Sequence, residues 1–311
     1  MTFEILLGVF LFLLLFWIYL RRSTPWRYRH VPYHRKLRFP KRFCEVNGMK
    51  ICYVDEGEGE RTLLLIHGNS AGIHHWEPLM DRLSRRYRCI ALDLPGWGDS
   101  DKPRIDYTIP FYGETVVQFL DKIGMGSVDV IANSMGGHVT MEIALRFPQR
   151  IHRLILVDPA GVWGRLGKWV ALALSPFLHE NIFQKLGPSW QQYFIRNRIF
   201  FDSSSPLCSE LVEKQMSLLR SKEYPAFAYT LTNSLQHLLK YGLKNEMSEI
   251  LHPTLIIWGR QDRLIPWLFG WQASWRIPNA QIKIFNRCGH VPMLEIPDRF
   301  ANAVVSFLES N

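Results

Sequence analysis

The sequence predicts an α/β protein, a mainly parallel β-sheet with helices on both faces, interrupted by a helical cap and preceded by a transmembrane anchor. Three observations carry this reading. From about residue 44 to 160, and again from 251 to 311, short Leu/Ile/Val-rich runs alternate with longer segments of helical period. Between 161 and 250 the alternation stops, and the chain becomes helical and aromatic with Pro and Gly punctuation. The first twenty residues are almost wholly apolar. At 311 residues and 47% hydrophobic content, the chain can bury a large core with a small accessory domain, which excludes a disordered protein.

Taken in order, residues 1–20 contain an unbroken apolar run from Ile5 to Leu20, followed at once by Arg21 and Arg22. As a helix this run is roughly 24 Å long, a little short of the ~30 Å hydrocarbon core, and local thinning of the bilayer closes the gap. No Lys or Arg precedes the run and no small-x-small site follows it, so an uncleaved single-pass anchor is expected rather than a secretory signal. With all flanking charge on the C-terminal side, the rest of the chain is expected in the cytosol. Residues 21–43 form a basic juxtamembrane linker whose nine Lys and Arg residues, with no acid among them, match the formal net charge of +9. Beside an apolar anchor such a segment suits an anionic lipid surface, and without a nucleic-acid-binding motif no nucleic acid partner is expected. Five widely spaced cysteines form neither a CxxC pair nor a metal-like cluster, and read as free thiols in or near the core.

Residues 44–160 and 251–311 form the two parts of the core. Expected strands are Met49 to Val54, Thr62 to Ile66, Cys89 to Leu92, Val128 to Ile131, Leu154 to Val157, Thr254 to Trp258 and Gln281 to Phe285. Several are continuous apolar runs, as in strands buried on both faces. Expected helices are His75 to Tyr87, Pro110 to Ile123, Met135 to Phe147 and Asp298 to Leu308. Residues 161–250 form the cap, which holds Trp163, Trp169, Phe177, Phe183, Trp190, Tyr193, Phe194, Phe200 and Phe201.

The chemistry begins at Ser134 in Ala132-Asn133-Ser134-Met135-Gly136-Gly137, between a buried-type strand and a helix. Only a tight turn reverses the chain there, and it needs small neighbours; Ala132 stands where Gly-x-Ser-x-Gly has its first glycine. Such a turn lifts the hydroxyl above the sheet and aims helix N-terminal amides at a developing oxyanion. His67-Gly68-Asn69 follows another strand and is expected to set the Asn69 N–H opposite that of Met135. A serine hydroxyl needs a base, and among eleven histidines His290 has the right setting, a loop after the last strand. Two residues compete to orient it: Asp262 in Trp258-Gly259-Arg260-Gln261-Asp262, which is favoured, and Asp158 after Val157. Asp93 reads as a scaffold residue of its turn.

His67-Gly68-Asn69, the run from Asp93 to Ser100, Asn133 to Gly137, Trp258 to Asp262 and Gly289 to Pro292 together resemble the α/β-hydrolase superfamily, from about Val46 to the C-terminus. The resemblance implies a serine hydrolase needing no metal or organic cofactor. Among its members the chain is similar to membrane-linked monoacylglycerol lipases and bacterial lipases or esterases. This implies cleavage of a carboxylic ester, an acylglycerol or related lipid ester above all, through an acyl-enzyme on Ser134. The chain also resembles meta-cleavage carbon–carbon bond hydrolases, whose oxyanion loop is usually longer and more glycine-rich than Asn69-Ser70-Ala71. A non-catalytic ligand receptor on the same scaffold is the third alternative. A carboxylate nucleophile is excluded by Ser134. The sequence does not fix an oligomeric state.

Overall fold

The structure is a computed structural model that describes residues 37–162, 180, 183–184 and 191–310. The expected anchor and most of the basic linker lie outside these residues, as do Trp163, Trp169, Phe177 and Trp190 of the cap. Among the described residues no helix is long and apolar enough to cross a membrane.

Eight strands form one sheet: β1 Arg42–Val46, β2 Met49–Glu56, β3 Thr62–Ile66, β4 Arg88–Leu92, β5 Val128–Asn133, β6 Ile151–Val157, β7 Thr254–Gly259 and β8 Ala280–Phe285, in the order β1-β2-β4-β3-β5-β6-β7-β8. β2 runs antiparallel to β1 and β4, and the other neighbours are parallel. Every residue of β5 and β7 is buried. Since successive side chains point to opposite faces, both faces of the sheet are covered there. β8, at the edge, alternates between exposed and partly buried positions until Phe285.

β1 is the one strand the sequence reading did not assign, and it shortens the linker by two residues, Arg42 and Phe43. Its signal is Asn47-Gly48. Both residues adopt positive φ (51° and 74°) between the paired Val46 and Met49, the geometry of a two-residue hairpin turn matched to strand twist. The charges of Arg42 and Glu45 are tolerable because this strand is an edge.

The core helices are α1 Glu77–Leu83, α2 Ile109–Lys122 and α3 Met135–Arg146. α2 begins where Thr108 Oγ1 accepts the Phe111 N–H and Pro110 sits in the first turn. The cap contributes α4 Pro206–Leu219, capped by Ser205 on the Cys208 N–H, and α5 Tyr224–Lys240. No strand occurs among the described residues between 163 and 250. α6 Leu268–Arg276 follows β7, and the short α7 Pro292–Glu295 and long α8 Pro297–Glu309 close the chain. α2 packs with α3, and α8 with α1.

Candidate active site

The residues singled out from the sequence fall at one edge of the sheet. His67 follows β3, Asp93 follows β4, Ser134 follows β5, Asp158 follows β6, Asp262 lies three residues past β7 and His290 five past β8. Parallel strands present their carboxyl ends on the same side, and the strand order reverses between β3 and β5, where such sheets open a crevice. The Asn69 turn and Ser134 flank that reversal.

Ser134 has φ 55° and ψ −117°, a backbone conformation that costs energy for any residue with a Cβ. Its N–H donates to the Val157 carbonyl at 2.9 Å, while its own carbonyl accepts from His138 and Ala160. The small neighbours have a steric reason. A Cβ on Gly136 would stand 2.4 Å from the Ile66 carbonyl oxygen, and one on Gly137 2.7 Å from Cβ of Pro159. Ala132 pairs with Ile66 across the sheet and is fully buried, so a methyl is accommodated where the motif usually has glycine.

His290 Nδ1 and Asp262 Oδ2 are 2.7 Å apart and both residues are buried. Asp262 Oδ1 accepts the N–H groups of Leu264 (2.7 Å) and Ile265 (2.9 Å), which fixes the carboxylate in its turn. Asp158 does not touch His290 by any hydrogen bond described; its Oδ1 accepts the Gly259 N–H at 2.9 Å. Of the two acids, the structure brings Asp262 within hydrogen-bond distance of His290. Ser134 is tied to the histidine loop through Asn133, whose Nδ2 donates to the carbonyls of Val157 (3.1 Å) and His290 (3.2 Å).

Beside Ser134, a Cβ on Gly68 would lie 3.0 Å from the serine Cβ, so the His67-Gly68-Asn69 turn abuts Ser134. His67 Nε2 accepts the Leu94 N–H at 3.0 Å, which leaves Nδ1 as the protonated nitrogen, 2.7 Å from the Gly68 carbonyl. Among the described residues the backbone N–H groups of Asn69 and Met135 have no hydrogen-bond acceptor. Two free donors beside one hydroxyl suit a developing negative charge. Asp93 is a scaffold residue, its two oxygens taken by the N–H groups of Ile73 and Asp99.

Three residues of structural weight lie in the sequence motifs without a role that the sequence assigns them. Asn133 is one; the others are Gly289 and Glu295. Glu295 bridges the N–H groups of Gly289 (2.6 Å) and Phe201 (2.8 Å), and the His290 N–H donates to Ile199 at 2.8 Å, so the cap segment Ile199–Phe201 holds the histidine loop. A polar residue ending an apolar run marks Asn133, and Glu295 closes the run that begins at Gly289, but nothing local marks its bond to Phe201. The trios Asp158, Asp262, His290 and Cys52, Asp93, Asp99 bring ligand-type atoms within 4.8 Å, yet both oxygens of Asp262 and of Asp93 already engage nitrogen groups of the protein.

Residues 61–297 match the alpha/beta hydrolase fold family. A 2-hydroxy-6-oxononadienedioate/2-hydroxy-6-oxononatrienedioate hydrolase of Burkholderia vietnamiensis is 31% identical over 84% of this chain and 91% of its own. The crystal structure of a membrane phospholipase A described as a bacterial virulence factor is 30% identical with a TM-score of 0.72, covering 87% of this chain and 86% of that one. The meta-cleavage product hydrolase of Pseudomonas fluorescens IP01 is 25% identical with a TM-score of 0.65, over 84% and 94% of the two chains.

Proposed function

The chain belongs to the alpha/beta hydrolase fold family, and from that premise we propose that it is a serine hydrolase acting on the carbon–carbon bond of a 2-hydroxy-6-oxo-dienoate. The observation that carries the substrate class is the curated relatives. Eight of them, at 28–32% identity over more than four fifths of this chain, bear that substrate name. This reverses the order given by the sequence, which put acylglycerol esters first on the strength of the apolar N-terminus and short oxyanion loop.

In the proposed reaction the dienol first ketonises, gaining a proton at C5. His290, oriented by Asp262, then takes the Ser134 proton as Oγ adds to the C6 ketone, and the oxyanion is met by the N–H groups of Asn69 and Met135. Collapse breaks the C5–C6 bond, its electron pair passes into the conjugated 2-oxo system and the His290 proton follows it. Water activated by His290 then hydrolyses the acyl-enzyme. After ketonisation, every step uses groups that ester cleavage also needs, and the remaining difference lies in the leaving group.

Ester cleavage is the second reading, favoured by the 30% identity to a phospholipase A. A cleft of about 620 Å³ between α4 and the core is lined by Leu37, His74, Leu207, Leu211 and Leu294 among others, and shares His74, Leu211 and Lys214 with a smaller cavity beside Ser70 and Ala71. Neither is lined by Ser134 or His290, so the cleft does not choose between the two substrates. The deciding experiment measures loss of dienolate absorbance, and release from p-nitrophenyl esters and phospholipids, by wild type and Ser134→Ala. Dienoate turnover lost in the variant supports the first reading, and ester turnover alone moves the assignment to the second. Failure of a fluorophosphonate to label Ser134 in folded protein overturns both in favour of a non-catalytic receptor.

A further inference from the structure

We propose that Asp158 is the proton-bearing member of a buried carboxyl–carboxylate pair with Asp262 and acts as a positioning residue for the base His290. The inference rests on the serine-hydrolase reading and adds a residue that acts on the base only through Asp262. Asp158 is the first residue after β6, fully buried, with φ 43°. Its Oδ1 holds the Gly259 N–H, and the Asp262 N–H closes onto the Gly259 carbonyl at 3.1 Å. The Asp158 side chain thus grips the base of the turn that carries Asp262. Its Oδ2 is buried with no hydrogen-bond partner among the described residues.

One oxygen of Asp158, one of Asp262 and a ring nitrogen of His290 all lie within 4.8 Å of one another. Two buried carboxylates at such separation do not both ionise, because neither solvent nor a cation offsets their repulsion. The donors around each decide which keeps the charge. Asp262 faces three nitrogen donors, Leu264, Ile265 and the His290 ring, whereas Asp158 has one, Gly259. The proton therefore resides on Asp158, and burial, followed by the Asp262 charge, holds its carboxyl well above the usual carboxylate range. The other titratable groups near the pair are Cys288, whose thiol burial pushes up, and Glu295, whose carboxyl burial raises.

A neutral Asp158 directs its proton at the Asp262 carboxylate without adding a second charge beside the imidazole. A second charge would repel Asp262 within its own turn and disturb the orientation that it gives His290. Ionisation of Asp158 at alkaline pH, by setting these two carboxylates against each other, is then one cause of lost activity. Asn is the fitting replacement: it tolerates positive φ, and its amide offers an acceptor to Gly259 and a donor to Asp262.

The test compares wild type with D158N, D158A and D262N by two readouts, the pH dependence of fluorophosphonate labelling of Ser134 and infrared difference spectra. At pH 7 wild type is expected to show a protonated-carboxyl C=O band that D158N lacks. D158N keeps the labelling rate within about threefold at neutral pH, with its alkaline limb about a unit or more higher. D158A, which strands the Gly259 N–H, falls about tenfold or more. Absence of the band, a D158N loss as deep as that of D262N, or an unmoved alkaline limb overturns the proposal. Failure of wild-type Ser134 to label counts against the hydrolase reading, while the infrared band still decides the protonation of Asp158.

Discussion

The close approach of α3 to β3 is open to a single-atom perturbation, Gly136→Ala. The added methyl would stand 2.4 Å from the Ile66 carbonyl oxygen and 2.6 Å from that of His67, where ordinary contact begins at 3.4 Å. Both obstacles are backbone of the strand leading into the Asn69 turn, so no side-chain rotation relieves them, and the start of α3 must retreat by about 1 Å. That retreat carries the Met135 N–H away from the Asn69 N–H. Loss of one oxyanion donor costs about 2.7–4 kcal/mol, and misplacement by about 1 Å lowers rates about 100-fold. The expected outcome is a kcat lower by about 100-fold with a much smaller change in KM, because the donors act on charge that develops after binding. Overpacking also destabilises by about 1–3 kcal/mol, so turnover is measured well below the melting transition, followed by circular dichroism. A folded variant with kcat within about threefold of wild type would refute the argument that this contact sets the oxyanion site.

Two further outcomes are expected. His138, buried on α3 and stacked on Tyr241 at 5.6 Å, has its imidazole pushed down from 6.5 to about 3 by burial. The unfolded chain binds this proton below 6.5 and the folded chain only near 3, so stability is lost as pH falls through that window, by about 1.4 kcal/mol per unit. His138→Phe should flatten the pH dependence of urea unfolding by one proton between about pH 6 and 4; an unchanged slope would contradict it. Gly48→Ala meets no atom within 4 Å, so its only penalty is the left-handed backbone at φ +74°. A loss of about 1 kcal/mol with unaltered turnover is expected from thermal melting and kinetics.

The core strands were legible because burial on both faces demands continuous apolar runs, and Leu63–Ile66 of β3, Leu154–Val157 of β6 and Leu255–Trp258 of β7 are of that kind. β1 was not, since an edge strand carrying Arg42 and Glu45 reads as a charged linker until the Asn47-Gly48 turn is given weight. The helix expected at His75 to Tyr87 is shorter, Glu77–Leu83, preceded by a single 3-10 turn. Its first residues hold the turn after β3, where the Ile73 N–H is claimed by Asp93. Long-range hydrogen bonds of that kind leave no periodic trace in the sequence.

The site shows the same division between local and distant constraints. Ser134, Gly136 and His67 are marked by their immediate neighbours, because strain and crowding in a turn restrict nearby residue types. The role of Glu295 is not, because its partner Phe201 is distant along the chain and reaches it only in the fold. Asp158 and Asp262 both qualify in the sequence, with Asp262 favoured, for a related reason: each follows a parallel strand, and the sheet delivers both to the same edge. What separates them is the number of donors that the chain folds around each carboxyl. The Asp262 turn supplies the Leu264 and Ile265 amides from its own next residues and receives His290, whereas Asp158 receives only Gly259. The charge that orients the histidine is thus assigned by short-range turn geometry, while long-range sheet topology supplies the neighbouring carboxyl that must remain neutral.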